Sequence, residues 1–104
     1  MDAKSHFERI RADFCAKEKA ISEGKMMRSE AIHYKGKVFA FLSTKAKMVF
    51  KLGKEFDTET IDVPLEVFSP FKNKKPMSGW YQLDFHHKET WRILTEKALQ
   101  LIKH

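Results

Sequence analysis

The chain is poor in the residues that brace or punctuate a fold. Cys15 is its one cysteine, which excludes an intrachain disulfide and a cysteine-rich zinc site. Four glycines and three prolines interrupt 104 residues, too few for a low-complexity, collagen-like or linker-rich architecture. No apolar run reaches the roughly 18 residues that a membrane span needs. The opening stretch MDAKSHFERIRADF contains no apolar core of the kind a secretory signal requires. The expectation is a chain without such a signal, in a reducing compartment, most simply the cytoplasm. No G-x-S-x-G elbow, phosphate loop or dinucleotide fingerprint occurs.

What the chain does have is apolar bulk and unevenly placed charge. Hydrophobic residues make up 42% and nine are Phe, enough for one modest core, so residues 1–104 read as a single folded domain. The net charge of +6 is segregated. Residues 2–23 are neutral overall, with five bases and five acids, whereas residues 25–54 carry eight bases against the single acid Glu30. Residues 55–66 carry five acids and no base, and 67–104 return to seven bases against three acids. The acids of EFDTETIDVPLE read as a solvated connector rather than a catalytic carboxylate pair.

Hydrophobic spacing predicts a helix over 5–22, with Phe7, Ile10, Phe14 and Ile21 near the 3.6-residue period. Ser5 and Glu8 suit a capping box, and Gly24 suits a stop. A second helix is predicted over 88–102, where Trp91, Leu94, Ala98, Leu101 and Ile102 share a face. Between them the pattern turns to strands: MMRSEAIHY (26–34), VFAFLS (38–43), KMVFKL (47–52), and the shorter LEVFSPF (65–71) and GWYQLDF (79–85). Lys35-Gly36 and Thr44-Lys45-Ala46 are the expected turns. Contiguous strands between terminal helices predict an α+β domain: N-terminal helix, antiparallel meander of about four to five strands, C-terminal helix.

The stretch KMMRSEAIHYKGKVFAFLSTKAKMVFKLG resembles the start of the TfoX/Sxy N-terminal domain family. The resemblance lies in Met26 and Met27, Tyr34, Gly36-Lys37, Val38-Phe39-Ala40 and Lys51-Leu52, and later in Pro76-Met77, Trp80-Tyr81 and Ala98-Leu99. YjbR-like proteins share the strand around Val38-Phe39-Ala40. The chain departs from the family where Arg28-Ser29 stands in place of a Phe-Gly, and the C-terminal helical domain that the full-length competence regulators add is not expected here. The resemblance implies an α-β-α fold and a non-enzymatic module that binds protein or nucleic acid in connection with transcription. It carries no residue-level chemistry.

Lys35, Lys37, Lys51 and Lys54 are expected to gather at one end of the meander, where they can neutralise phosphates beside a stacking Tyr34. Their bland alternative is a set of solvated lysines that keep edge strands from pairing. Lys72, Lys74 and Lys75 form a second basic stretch ending in Trp80 and Tyr81. Strict alternation makes 38–43 apolar on both faces, with Phe39 and Phe41 opposite Val38, Ala40 and Leu42. That predicts an exposed aromatic patch at Phe39 and Phe41, extended by Trp80, for self-association or another protein. The rival reading is a small ligand binder or enzyme with a pocket between the final helix and the 72–81 loop. Adjacent His86 and His87 diverge too far to chelate one metal, and Cys15 has no base beside it. No metal, cofactor or membrane is expected.

Overall fold

Asp2 starts the first helix, its carboxylate accepting the Ser5 backbone N–H at 2.8 Å. The computed structural model describes residues 2–26, 28–69 and 75–103. Helix α1 (Ala3–Lys17) begins earlier than expected because Asp2 supplies the cap, and it presents Ala3, Phe7, Ile10 and Phe14 as one buried stripe. It also ends earlier. Glu18 is extended, and Ile21 opens a strand instead of continuing the stripe. A spacing of seven residues from Phe14 to Ile21 suits a helix, but pairing with a neighbouring strand satisfies the backbone and still buries Ile21 (3% exposed).

That strand, β1 (Ile21–Met26), is the element the sequence reading missed. It pairs with β2 (Ser29–Tyr34) from Ile21↔Tyr34 to Met26↔Ser29. Gly24, expected as a helix stop, lies inside β1. A Cβ there would come within 2.0 Å of the His33 ring, so the missing side chain lets the imidazole lie across the strand. Next come β3 (Lys37–Leu42), β4 (Met48–Lys51), β5 (Glu66–Val67), β6 (Trp80–Leu83) and helix α2 (Lys88–Lys103). The strands form one antiparallel sheet in the order β1-β2-β3-β4-β6-β5, so the last two exchange places relative to a simple meander. The fold is α+β, as contiguous strands between terminal helices predicted.

The turns are chemically specified. Lys35 (φ 51°) and Gly36 (φ 83°) join β2 to β3 as a two-residue turn with both φ angles positive, which matches the twist of the flanking strands. Between β3 and β4 the Ser43 hydroxyl accepts the N–H groups of Lys45 (3.3 Å) and Lys47 (3.2 Å). Asp57 and Asp84 cap the short 3₁₀ turns Thr58–Thr60 and Phe85–His87.

Both helices cover the same face of the sheet and run parallel. Arg92 pairs with Asp13 at 2.8 Å, and Glu96 with Lys17 one turn further along. Phe7, Ile10 and Phe14 of α1 and Trp91, Leu94 and Leu99 of α2 close on Ile32, Phe39, Phe50 and Leu83. Trp91 is wholly buried, and its indole N–H donates to the Asp84 carbonyl at 3.0 Å. The other face carries a smaller cluster of Ala31, Phe41, Val49 and Phe68, with Met77 and Trp80 packed against it.

One irregularity divides the aromatics between these faces. Ile32 pairs with Ala40, but His33 pairs with Val38, so Phe39 is an extra residue on β3. The bulge turns Phe39 to the helix side together with Ala40, while Val38 joins Phe41 on the other side. The expected exposed patch is therefore not formed: Phe39 and Phe41 are both 0% exposed, covered by their own chain on opposite faces. Among the described residues, no helix is long and apolar enough to cross a membrane.

Candidate anion-binding surfaces

The sheet has two ends, and each gathers positive charge in a different way. At the end holding the Lys35-Gly36 turn, Lys37 and Lys51 border one recess with Leu52, Gly53 and the helical residues Leu101 and Ile102. Lys54 borders an adjoining recess with Gly53, Phe56, Lys97 and Leu101, where Glu55 and Asp57 also stand. Gly53 sits at φ 90°, and its N–H and that of Leu52 both donate to the Gly79 carbonyl, which fastens the end of β4 to the start of β6. Three of the lysines expected together are thus on contiguous surface, with acids intruding only on the Lys54 side. Lys35 lies in the adjacent turn with its ammonium 5.5 Å from the Tyr34 ring centre, and Lys103 reaches the same ring at 5.8 Å. Lys51 stands 5.9 Å from the Trp80 ring. These aromatic rests hold the ammonium groups at the surface while covering apolar area.

At the opposite end, about 17 Å along β3 by its rise per residue, the second face opens into a cavity of about 590 Å³. Its cations are Arg28, Lys45 and Lys47, and its hydroxyls include Ser29, Ser43 and Thr44. Gln82 of β6 adds an amide, and Phe41 and Phe68 lie beneath the floor, their rings 5.3 Å apart. With 0% and 6% exposure, these rings support the cavity more than they line it. Among the described residues that line it there is no carboxylate. Glu66 stands just outside, its carboxylate 3.6 Å from the Lys47 ammonium. The sequence assigned Lys45 to a turn and gave neither Lys45 nor Lys47 a binding role. Arg28 and Ser29, the pair at which the family resemblance breaks, also face this cavity. The signal available was the density of Ser, Thr and Lys in STKAK beside the Arg-Ser pair. What joins them is the pairing of β2 with β3, which spacing does not display.

The other candidate residues separate. Lys75 is exposed, Lys72 and Lys74 lie outside the described residues, and so does Met27. Trp80 is half-buried against Phe41 at 5.5 Å, on the face away from α2. Met77 and Trp80 therefore form no pocket with the final helix, because the sheet stands between them and α2. His86 and His87 face each other edge to face in the 3₁₀ turn before α2. No three His, Cys, Asp or Glu side chains converge among the described residues. Cys15 is half-buried; burial, then the nearby Glu23 carboxylate, pushes its thiol up, which opposes nucleophilic use. Beneath the sheet edge, the largely buried Arg11 spans Glu23 (3.6 Å) and Glu30 (3.5 Å), so its charge is committed internally.

Comparison with family models, with curated proteins and with solved structures finds no match for this chain. The resemblance to the TfoX N-terminal domains thus rests on the residues quoted for it.

Proposed function

We propose that the chain is a non-enzymatic binding module for an anionic macromolecule, nucleic acid before protein, working in a reducing compartment such as the cytoplasm. The observation that carries this reading is the common recess of Lys37 and Lys51, which adjoins the one holding Lys54 and lies next to the Lys35 turn. Phosphates spaced along a strand are met by separate, hydrated ammonium groups more readily than by a closed pocket. Tyr34 and Trp80 beneath two of these lysines supply flat apolar support of the kind on which bases stack. The resemblance to transcription-linked TfoX N-terminal domains points the same way. Self-association through Phe39 and Phe41 is not carried forward, since neither ring reaches the surface.

The test is duplex binding as a function of salt. Four lysines engaging four phosphates give a log–log slope near −3.6, about −0.9 for each. Replacing Lys37 and Lys51 together by Gln brings the slope to about half of that and weakens binding uniformly across sequences. Absence of binding at low salt removes the proposal.

A further inference from the structure

We propose that the cavity bounded by the β3–β4 turn, Arg28 and the residues just after β5 is a binding site for a small phosphomonoester. Charge is the first argument. Arg28, Lys45 and Lys47 converge on one concavity from two different turns, with no lining carboxylate among the described residues. Lysines that merely solvate a sheet are not expected to share a recess with an arginine from another hairpin. Shape is the second argument. At about 590 Å³ the space falls within the roughly 300–1,000 Å³ typical of small-molecule sites.

Hydrogen-bond chemistry selects the anion. A phosphomonoester presents three strong acceptor oxygens. Arg28 offers a planar fork suited to two of them, and the ammonium groups of Lys45 and Lys47 act as point charges. The Ser43 hydroxyl accepts two backbone N–H groups, which leaves its proton free to donate into the cavity. Ser29 is 8% exposed and Ser43 is 9% exposed, so both hydroxyls sit in the wall and not on the rim. The turn bearing both lysines is thus held by a serine that itself faces the ligand space. Glu66 stands 3.6 Å from the Lys47 ammonium, and an incoming phosphate competes for the same group. The body of the ester rests on the stems of these side chains above Phe41 and Phe68. This site is separate from the lysine recess at the other end and does not depend on that recess binding nucleic acid.

The experiment is a titration of the full chain, followed by amide chemical shifts, with phenyl phosphate, inorganic phosphate, benzoate and phenol as probes. Saturable shifts at Arg28, Ser29 and residues 43–47 are expected with phenyl phosphate, with weaker binding of inorganic phosphate and benzoate and none of phenol. Arg28→Ala and Lys45→Ala each lower the affinity roughly tenfold, as expected for one lost charge-assisted bond. Lys51→Ala at the far end leaves it unchanged. Both cavity positions are exposed, and an unchanged amide spectrum of each variant away from the cavity verifies its fold. Shifts that fail to saturate, that spread equally to Lys37 and Lys51, or that survive both substitutions overturn the proposal. Retained phosphomonoester binding alongside failed duplex binding upholds this site and removes only the function proposed above.

Discussion

The two faces of the sheet are finished by different means. One is sealed by two amphipathic helices whose apolar stripes interlock with the sheet across Phe7, Phe14, Trp91 and Leu94. The other is covered by the loop residues Phe68 and Met77, which pack in the cluster of Phe41 and Val49. Helices seal a face along its length, whereas a loop seals only the part it crosses. The uncovered remainder of the second face is where the cavity opens. Apolar burial is therefore concentrated on the helix face, and the recesses lie on the loop face and at the sheet ends. A residue's value to the fold and its availability to a partner are opposed here because apolar area that is well covered cannot be touched.

The sharpest way to break this comparison is to truncate one ring from each face. Phe39→Ala, on the helix side and wholly buried, is expected to cost about 3–5 kcal/mol, near the whole stability of many domains of this size. Phe68→Ala, in the smaller cluster on the other face, is expected to cost about 3 kcal/mol or less. Urea unfolding of both variants decides it. Equal losses, or a larger loss for Phe68, would mean that the loop face is as much a core as the helix face.

A smaller effect sharpens the same contrast at the cavity wall. Ser43→Ala removes the acceptor for the Lys45 and Lys47 amides and is expected to cost about 1–2 kcal/mol. Its distinguishing readout is faster amide exchange confined to residues 43–47, with the helix face unchanged.

The smallest effect lies at the outer margin of the helix face. The Lys17 hydrogen bond, then that of Gln100, holds the Glu96 carboxyl below the ordinary carboxylate range. A carboxyl with a lowered folded-state pKa adds stability above its unfolded value, and that stability disappears as pH falls through the folded value. Glu96→Gln should therefore flatten the acid limb of a stability-against-pH curve while changing neutral stability by only a few tenths of a kcal/mol, since the pair is half-exposed. Pairing with Glu18 raises the Lys103 ammonium instead, and its contribution is lost as pH rises through that raised value. An acid limb unaltered by Glu96→Gln would remove the pair from the account of how the helices are joined.

Comparison of the faces also explains what was legible in the chain. Met48, Phe50 and Leu52 alternate as a strand requires and face the helices, while Val49 between them is equally buried on the other face. Lys35-Gly36 marked its turn because a tight hairpin connection needs positive φ. The end of α1 was not legible, since Ile21 satisfies a helical and an extended pattern equally. Phe39 was misassigned because a bulge leaves no mark in hydrophobic spacing, and an alternation carried through it puts every earlier residue on the wrong side. Of the candidate site residues, Lys37, Lys51 and Lys54 were legible as an end of the sheet. The cavity was not, because Arg28 and Ser43 flank strands, and Gln82 lies in one, whose neighbours only the folded register defines.

Composition and local patterning by themselves determined a single-cysteine α+β chain with terminal helices, an antiparallel centre and an excess of base in its middle third. These follow from short-range physics: the periods of 3.6 and 2, the turn chemistry of Lys35-Gly36, and the charges as written. Tertiary structure alone decided that β6 inserts beside β4, that Phe39 crosses to the helix side, and that three cations from two hairpins share one recess. Each of those depends on strand pairing over long separations, where many registers have similar local energies and packing selects among them.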